Sequence, residues 1–437
     1  MLLSSIISII TIITMIIAII YFPVLKIKTL KVQSFWIVSL LGAIAIVLTR
    51  CLNIEQIKTI LLNSEAMNPV EILILFISMS ILSITLDVSG FFKLCAYYAT
   101  SVTKNSQKKL FVSIMVVVSI LTIFTSNDIV ILTFTPFICY FAKHAKINPL
   151  PYLIGEFIFA NTWSMMLIIG NPTNIFLSSI FNIRFLDYLK VMAIPTIISG
   201  IVALFILMAM FNKQLSQPLV VSEDIQKPKI KKTNSIIGMF HLSLCTMFLI
   251  VSSYIEIQMW VICAIFALSM SVFLIGYDLV NKKKNIVKVY KRAPWNLIPF
   301  VLSMFIIVGS LNENGVIKEV AKLFNNFAVS KASTIYYYGF SSFFLTNVLN
   351  NIPMSVMFEK IITSSNQLFL KEAIYSTIIS SNIGAYFTPI GALAGIMWMS
   401  ILNKVDVKMS FKKFIKYGGF VSLIIILLAL TCLLIIL

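Results

Sequence analysis

Two apolar stretches of this chain, 221 residues apart, are broken by the same polar pattern. Asn161 stands nine residues before Gly170 in ANTWSMMLIIGNPTN, and Asn382 stands nine residues before Gly391 in SNIGAYFTPIGALA. Within lipid every backbone N–H and C=O has to be satisfied, so a Pro/Gly break in a membrane-length run is tolerated only against protein, water or a ligand. The repetition extends upstream. FTSNDIV, around Asn127 and Asp128, lies about 34 residues before the first Asn, and VLNNIPM, around Asn350 and Asn351, about 32 before the second. Paired polar breaks of this kind predict a secondary transporter with a site near the membrane midplane.

Apolar runs able to span at about 1.5 Å per residue occur near 3–22, 33–49, 70–86, 151–180, 191–212, 236–252, 257–280, 295–311, 373–401 and 417–437. Ten crossings are expected, in an all-α polytopic membrane protein of the cell (plasma) membrane. The first run lacks the basic start and small-residue cleavage site of a signal peptide and reads as a retained helix. With 59% hydrophobic and 11% charged residues, a soluble surface cannot be built. The net charge of +18 does not point to nucleic acid, because the 34 Lys and Arg residues fall almost wholly in short gaps between apolar runs. The six Cys show no CxxC or metal-type spacing, and read as small buried hydrophobes in reduced form. No metal and no cofactor is expected.

Two further apolar segments, 110–142 and 333–358, are interrupted midway by SND and TNVLNN. They read as re-entrant hairpins or as two crossings each. If the N-terminus is outside and both are hairpins, the loops 23–32, 87–109, 143–150, 213–235, 281–294 and 402–416 are cytoplasmic and hold 25 of the 34 cations. The charge distribution fixes orientation without choosing between hairpins and crossings. An offset of about 221 lays hairpin on hairpin and gives each half five crossings. Five is odd, so the halves are expected as inverted-topology repeats, with broken helices at the midplane. The expected organisation is residues 1–212 as the first repeat, 213–235 as a cytoplasmic linker and 236–437 as the second repeat.

Asp128 is the acid expected deepest in the membrane. An ionised carboxylate there costs at least ~2.5 kcal/mol, so it should face a cavity, a partner or a bound cation. It reads as a proton carrier or cation ligand, or as a cap accepting backbone N–H bonds where the second arm of the hairpin begins. The corresponding residue of the second half is Asn351, which leaves one titratable side chain in an otherwise repeated frame. Gly170, Asn171, Pro172, Thr173 and Asn174 break the first run, and Thr388, Pro389 and Gly391 the second, since Pro cannot donate and Gly tolerates strained angles. Asn161 with Thr162, and Asn382 with Ser381, lie about two and a half helical turns before these breaks, opposite their glycines on an ideal helix. They read as site lining or as interhelical hydrogen bonds. Glu156 is expected near the cytoplasmic end, reaching water or pairing with Lys143 or Lys146. Trp163, Trp260 and Trp398 suit packing, and His144 and His241 suit helix ends.

The segments SNDIVILTFTP, INPLPYLIGEFIFAN with GNPTN, PWNLIPFVLSMFIIVGSL, LNNIPM and NIGAYFTPIGALAGIMWMSIL also carry a resemblance. In this order, over nearly the whole chain, they resemble the ion transporter superfamily. That superfamily holds arsenite permeases, sodium/proton antiporters of the NhaD type and divalent-anion/sodium symporters. The C-terminal half, in PWNLIPF, TPIGALAGIMW and SFKKFIKYG, is most similar to the arsenite permeases, whereas GNPTN is also common in anion and carboxylate permeases. The resemblance implies export of arsenite or antimonite in exchange for protons, sometimes with a soluble ATPase subunit. It implies hairpin tips at Ser126, Asn127 and Asp128 and at Asn350 and Asn351, facing the breaks at 170–174 and 388–391. It also implies a homodimer working by an elevator motion. An anion or carboxylate permease, or a sodium/proton antiporter, remains the alternative. No Lys or Arg stands inside either motif, which weighs against an anion symporter, and a single membrane acid is thin coordination for Na+. An intramembrane aspartyl protease would need Asp87 to face Asp128, although Asp87 lies at a crossing's end. A zinc enzyme would need more than two His and an HExxH. A transporter rather than an enzyme is expected, with a small inorganic oxyacid or anion, protons or Na+, and the lipid bilayer as its partners.

Overall fold

The computed structural model describes residues 2–437 apart from 23, 28, 29, 63–67, 102–105, 220–229, 253, 254, 256, 366, 405, 406 and 408. The middle of the expected linker, 220–229, therefore lies outside the described residues. The chain opens with α1 (Leu2–Tyr21), a short antiparallel ladder of β1 (Val24–Ile27) and β2 (Leu30–Gln33), α2 (Ser34–Leu48) and α3 (Ile54–Leu62). There follow α4 (Pro69–Ser89), α5 (Phe91–Ser101), α6 (Gln107–Phe124), α7 (Asn127–His144), α8 (Leu150–Trp163), α9 (Pro172–Ile180), α10 (Phe185–Met210) and α11 (Asn212–Leu215). The second half holds α12 (Lys232–Val251), α13 (Met259–Asn281), α14 (Asn285–Arg292), α15 (Leu297–Glu313), α16 (Val316–Phe327), α17 (Lys331–Leu349) and α18 (Asn351–Ser364). It closes with α19 (Leu370–Ile383), α20 (Leu393–Lys404), α21 (Phe411–Phe414), a π-helical turn Ile415–Gly419 and α22 (Phe420–Ile436).

Among the described residues, eight helical segments are long and apolar enough to cross a membrane by length and composition. Seven fall on expected crossings, and the eighth is α6, the first arm of the segment 110–142. Of the other three expected crossings, α2 is a shorter apolar helix and two are interrupted, α8 by the break before α9 and α19 by the break before α20. The chain is an all-α, multi-pass membrane protein, with the 24–33 ladder as the one sheet among the described residues. Lipid-facing helices are apolar all round, so packing rather than polarity selects their buried side. In α22, Val421, Ile425, Ala429 and Leu433 are buried whereas Phe420, Leu423, Ile424 and Leu427 are exposed.

Local signals mark the helix ends. The Asn68 side chain accepts from the Val70 and Glu71 amides while Glu71 reaches back to the Asn68 amide, a capping box with Pro69 in the first turn. The same helix, α4, stops at Gly90 in the left-handed region, φ 90°.

Two helix groups follow from the packing. In one, α2 lies against α1 and α15, and α4 against α12 and α13; in the other, α7 lies against α8 and α20, α17 against α18 and α19, and α10 and α19 against α22. The groups meet where α4 and α15 pack against α7, α9 and α18.

Both long runs break earlier than their Pro and Gly residues suggest. Helix α8 ends at Trp163, a 3₁₀ turn covers Ile168–Gly170, and α9 restarts at Pro172. Helix α19 ends at Ile383, a 3₁₀ turn covers Gly384–Tyr386, and α20 restarts at Leu393. Each break folds back so tightly that a Cβ on its glycine would strike backbone. One on Gly170 would lie 2.4 Å from the Ser164 carbonyl oxygen, and one on Gly391 would lie 2.6 Å from that of Gly384. The expectation that Asn161 and Asn382 stand opposite their glycines on a continued helix is corrected here. Of the eight residues between each pair at most two are α-helical, and both Asn lie in the last turn before the break.

Candidate functional site

Helices α6 and α7 turn on Thr125 and Ser126, placing Asn127 and Asp128 in the first turn of α7. Ser126 occupies the N-cap position but makes no capping bond. The first amides of α7, which carry the positive end of its dipole, are therefore left without a capping side chain in the same turn as Asp128. Asp128 does not cap the helix, and its carboxylate has no hydrogen-bond partner among the described residues. It lines a cavity of about 260 Å³ between the two helix groups, walled by Phe76 and Ser80 of α4, Leu297 of α15, Leu132 of α7 and Met397 of α20. Lys291 and Arg292 line the same cavity, and Arg292 is ion-paired with Asp87. Asp87 itself does not line this cavity.

Beside Asp128, Ser126 Oγ and Asn127 Oδ1 are buried without partners. Buried polar atoms are normally bonded, so these two oxygens next to a carboxylate are open to a ligand or an ordered water. The other end of the Asn127 amide is fixed, its Nδ2 donating to Asn161 Oδ1 at 2.9 Å, while Asn161 Nδ2 donates to Phe157 O at 2.8 Å.

A second set of bonds joins the broken helices of the two halves. Asn382 Oδ1 accepts from Asn171 Nδ2 at 2.8 Å, and Asn382 Nδ2 donates to Asn174 Oδ1 at 2.7 Å. Ser164 Oγ lies 2.7 Å from both Asn382 Oδ1 and Asn161 O, so its one proton serves one of them at a time. Asn174 Nδ2 donates to Ser164 O at 2.8 Å, and the Thr173 and Ser381 hydroxyls lie 2.8 Å apart. Asn171 Oδ1 accepts the Thr173 amide at 3.1 Å and so caps α9, where Pro172 has no N–H to satisfy. Thr162 Oγ1 donates to the Tyr386 hydroxyl at 3.2 Å. All of these Asn, Ser and Thr residues are fully buried.

The third set is built on the turn between α17 and α18. Asn350 has a positive φ of 77°, and its Nδ2 donates to Ile390 O at 3.0 Å while its Oδ1 is buried and unpartnered. The Asn351 amide donates to Gly391 O at 3.0 Å. Asn347 Oδ1 accepts both the Thr388 amide at 3.0 Å and its hydroxyl at 2.7 Å. The Pro389 carbonyl turns toward Gly395, where an added Cβ would lie 2.3 Å from its oxygen.

Residues 126–128, 161, 162, 170–174, 350, 351, 382, 388, 389 and 391 each lie in one of these sets or in the break beside it. Asn347, Ser164 and Tyr386 were not anticipated. Ser164, three residues after Asn161, and Asn347, three before Asn350, could have been found as the next polar residue one helical turn away. Tyr386 gives no such signal. Glu156 departs from expectation. It is wholly buried and bonds to Thr135 rather than to Lys143 or Lys146, because α8 starts at Leu150 and carries Glu156 almost two turns into the packed core.

A multi-pass helical fold with interrupted helices and a buried polar site open to a cavity belongs to a membrane transporter. The chain is a member of the citrate transporter family, whose profile matches residues 29–376. It is 27% identical over 372 residues to the arsenical pump membrane protein of Escherichia coli K12, covering 82% of this chain and 84% of that protein. It is 25% identical over 379 residues to the putative arsenical pump membrane protein of Bacillus subtilis, covering 81% and 84%. A 46 kDa membrane protein of Mycobacterium leprae is 21% identical over 366 residues, covering 82% and 84%.

Proposed function

We propose that the protein is a secondary active transporter that exports arsenite or antimonite in exchange for protons. The observation that carries this reading is the Asp128 carboxylate, without a protein partner among the described residues, lining a cavity together with Ser126, whose Oγ is orphaned. A carboxylate in that setting exchanges a proton with the cavity, and the flanking oxygens and free α7 amides suit the hydroxyl groups of a neutral oxyacid. The substrate class rests on the arsenical pump proteins to which the chain is similar. Uptake into everted vesicles tests it. Arsenite should accumulate under an imposed proton gradient and fail to do so in Asp128→Asn. Absence of accumulation in the native protein would sink the reading.

Transport of an anion such as citrate is the second reading, favoured by the family and by Lys291 and Arg292 on the cavity wall. Against it, Arg292 is already paired with Asp87, and the charge beside the orphaned oxygens is negative. A sodium/proton antiporter is the third, with the same oxygens as ligands; dissipation of an imposed pH gradient on adding Na+ to vesicles, with no arsenite present, would favour it.

The architecture we infer is two repeats of opposite topology, 1–212 and 236–437, with residues 213–235 between them on the cytoplasmic side. Shifted by 221 residues, α6, α7 and α8 fall on α17, α18 and α19, which supports the repetition. Elevator motion is supported by the interface between the helix groups. There Leu73 and Phe76 of α4 and Val301 and Phe305 of α15 offer an apolar wall to α9 and α18. A homodimer, and an association with a soluble ATPase, stay part of this proposal by resemblance.

A further inference from the structure

Glu156 is a fully buried acid that the proposed transport cycle does not use, and it lies where α7, α8 and α20 meet. It projects from α8 toward Thr135 of α7, one residue from Phe157, whose ring packs against Trp398 of α20 with centroids 5.3 Å apart. Glu156, Thr135 and Trp398 are fully buried. Thr135 stands seven residues after Asp128, two turns along the same helix face and about 10.5 Å away along the axis.

The hydrogen count at this point is informative. Thr135 Oγ1 lies 2.7 Å from Ile131 O, 3.0 Å from Glu156 Oε1 and 3.1 Å from Glu156 Oε2. A hydroxyl has one proton and two lone pairs. When that proton goes to Ile131 O, the shorter contact, Glu156 must supply the proton between the two side chains and is a neutral acid. When Thr135 instead rotates toward Glu156, it becomes the donor to a carboxylate that no cation accompanies. Among the described residues no Lys, Arg or His reaches Glu156, and of α6, α10, α19 and the π-helical turn packed around α8, none brings a charged side chain to it. The other titratable group facing it is Cys139, one turn beyond Thr135.

We propose that Glu156 and Thr135 form a second proton-binding site, in which the Thr135 hydroxyl turns between Ile131 O and the Glu156 carboxyl as the proton is taken up and released. Loss of the proton leaves a carboxylate with no cation beside it, with the Thr135 hydroxyl and the Trp398 indole as its neighbouring donors, so the site favours a different arrangement of α7, α8 and α20 when empty. Asp128, at the start of α7, thereby shares a helix with the partner of Glu156.

That Glu156 serves transport rests on the proton-coupled reading above, but whether it carries a proton does not, and the test separates them. Purified full-length protein in proteoliposomes would be examined by infrared difference spectroscopy across a pH change, with no substrate added. The native protein is expected to show a carboxylic-acid C=O stretch that is lost in Glu156→Gln and shifted in Thr135→Val, while Asp128→Asn removes a different band. Carboxylic bands unchanged in Glu156→Gln overturn the proposal. If that variant does not fold, an unshifted band in Thr135→Val does so. In vesicles competent for transport, Glu156→Gln should keep substrate exchange yet lose accumulation driven by a proton gradient. Retained accumulation would separate Glu156 from coupling.

Discussion

At the scale of single residues, the polar frame divides into atoms that satisfy each other and atoms left over. Asn382 is the keystone of the first kind, since its amide accepts from Asn171 and donates to Asn174, both across the junction of the two halves. Truncation to Ala strands those partners in a buried setting, and an unsatisfied buried group costs about 1–3 kcal/mol. Asn382→Ala is therefore expected to lower the thermal midpoint of the purified protein by several degrees more than Asn314→Ala, whose side chain bonds near Cys51 at a helix end. Equal midpoints for the two variants would show that the network is not structural. The left-over atoms, Ser126 Oγ, Asn127 Oδ1 and Asn350 Oδ1, predict the opposite pattern, in which substitution spares stability and removes transport.

At the scale of the element, the breaks decide the architecture, and their glycines are where a single methyl group tells most. Gly170→Ala would push a Cβ into the Ser164 carbonyl, and backbone cannot step aside as a side chain can. It should abolish transport with protein still inserted in the membrane. Gly276→Ala in α13, where nothing lies within 4 Å, should be silent or stabilising by up to ~1 kcal/mol. Transport intact in Gly170→Ala would mean the break reshapes freely. These elements were legible in the chain because Pro and Gly inside an apolar run have one physical meaning in lipid. Their start points were not legible. Helix α8 already ends at Trp163, where Ser164 and Asn161 draw backbone groups into side-chain bonds, and composition alone does not rank such bonds against a continued helix. Glu156 was misplaced for a related reason, since sequence distance from Pro151 says nothing of how deeply α8 begins in the core.

For the whole molecule, the question is whether the two helix groups slide. Their contact surface is apolar where α9 meets α15, with the Phe176 and Phe305 rings edge to face at a centroid distance of 5.5 Å. An apolar seam has no hydrogen bonds to break during displacement, and its contacts are recovered at the next position. The two 221-residue-shifted halves place one broken helix each on the far side of that seam, while the cavity holding Asp128 opens along it. A rigid bundle with a locally gated cavity would need no motion between Phe176 and Phe305. In a protein stripped of its six native cysteines, Phe176→Cys with Phe305→Cys should be bridged by a short bis-methanethiosulfonate and stop transport. Reduction should restore it, and each single variant should remain active. Full transport with the cross-link complete would fix the two groups to one another and leave gating by the α6–α7 and α17–α18 turns as the route of access.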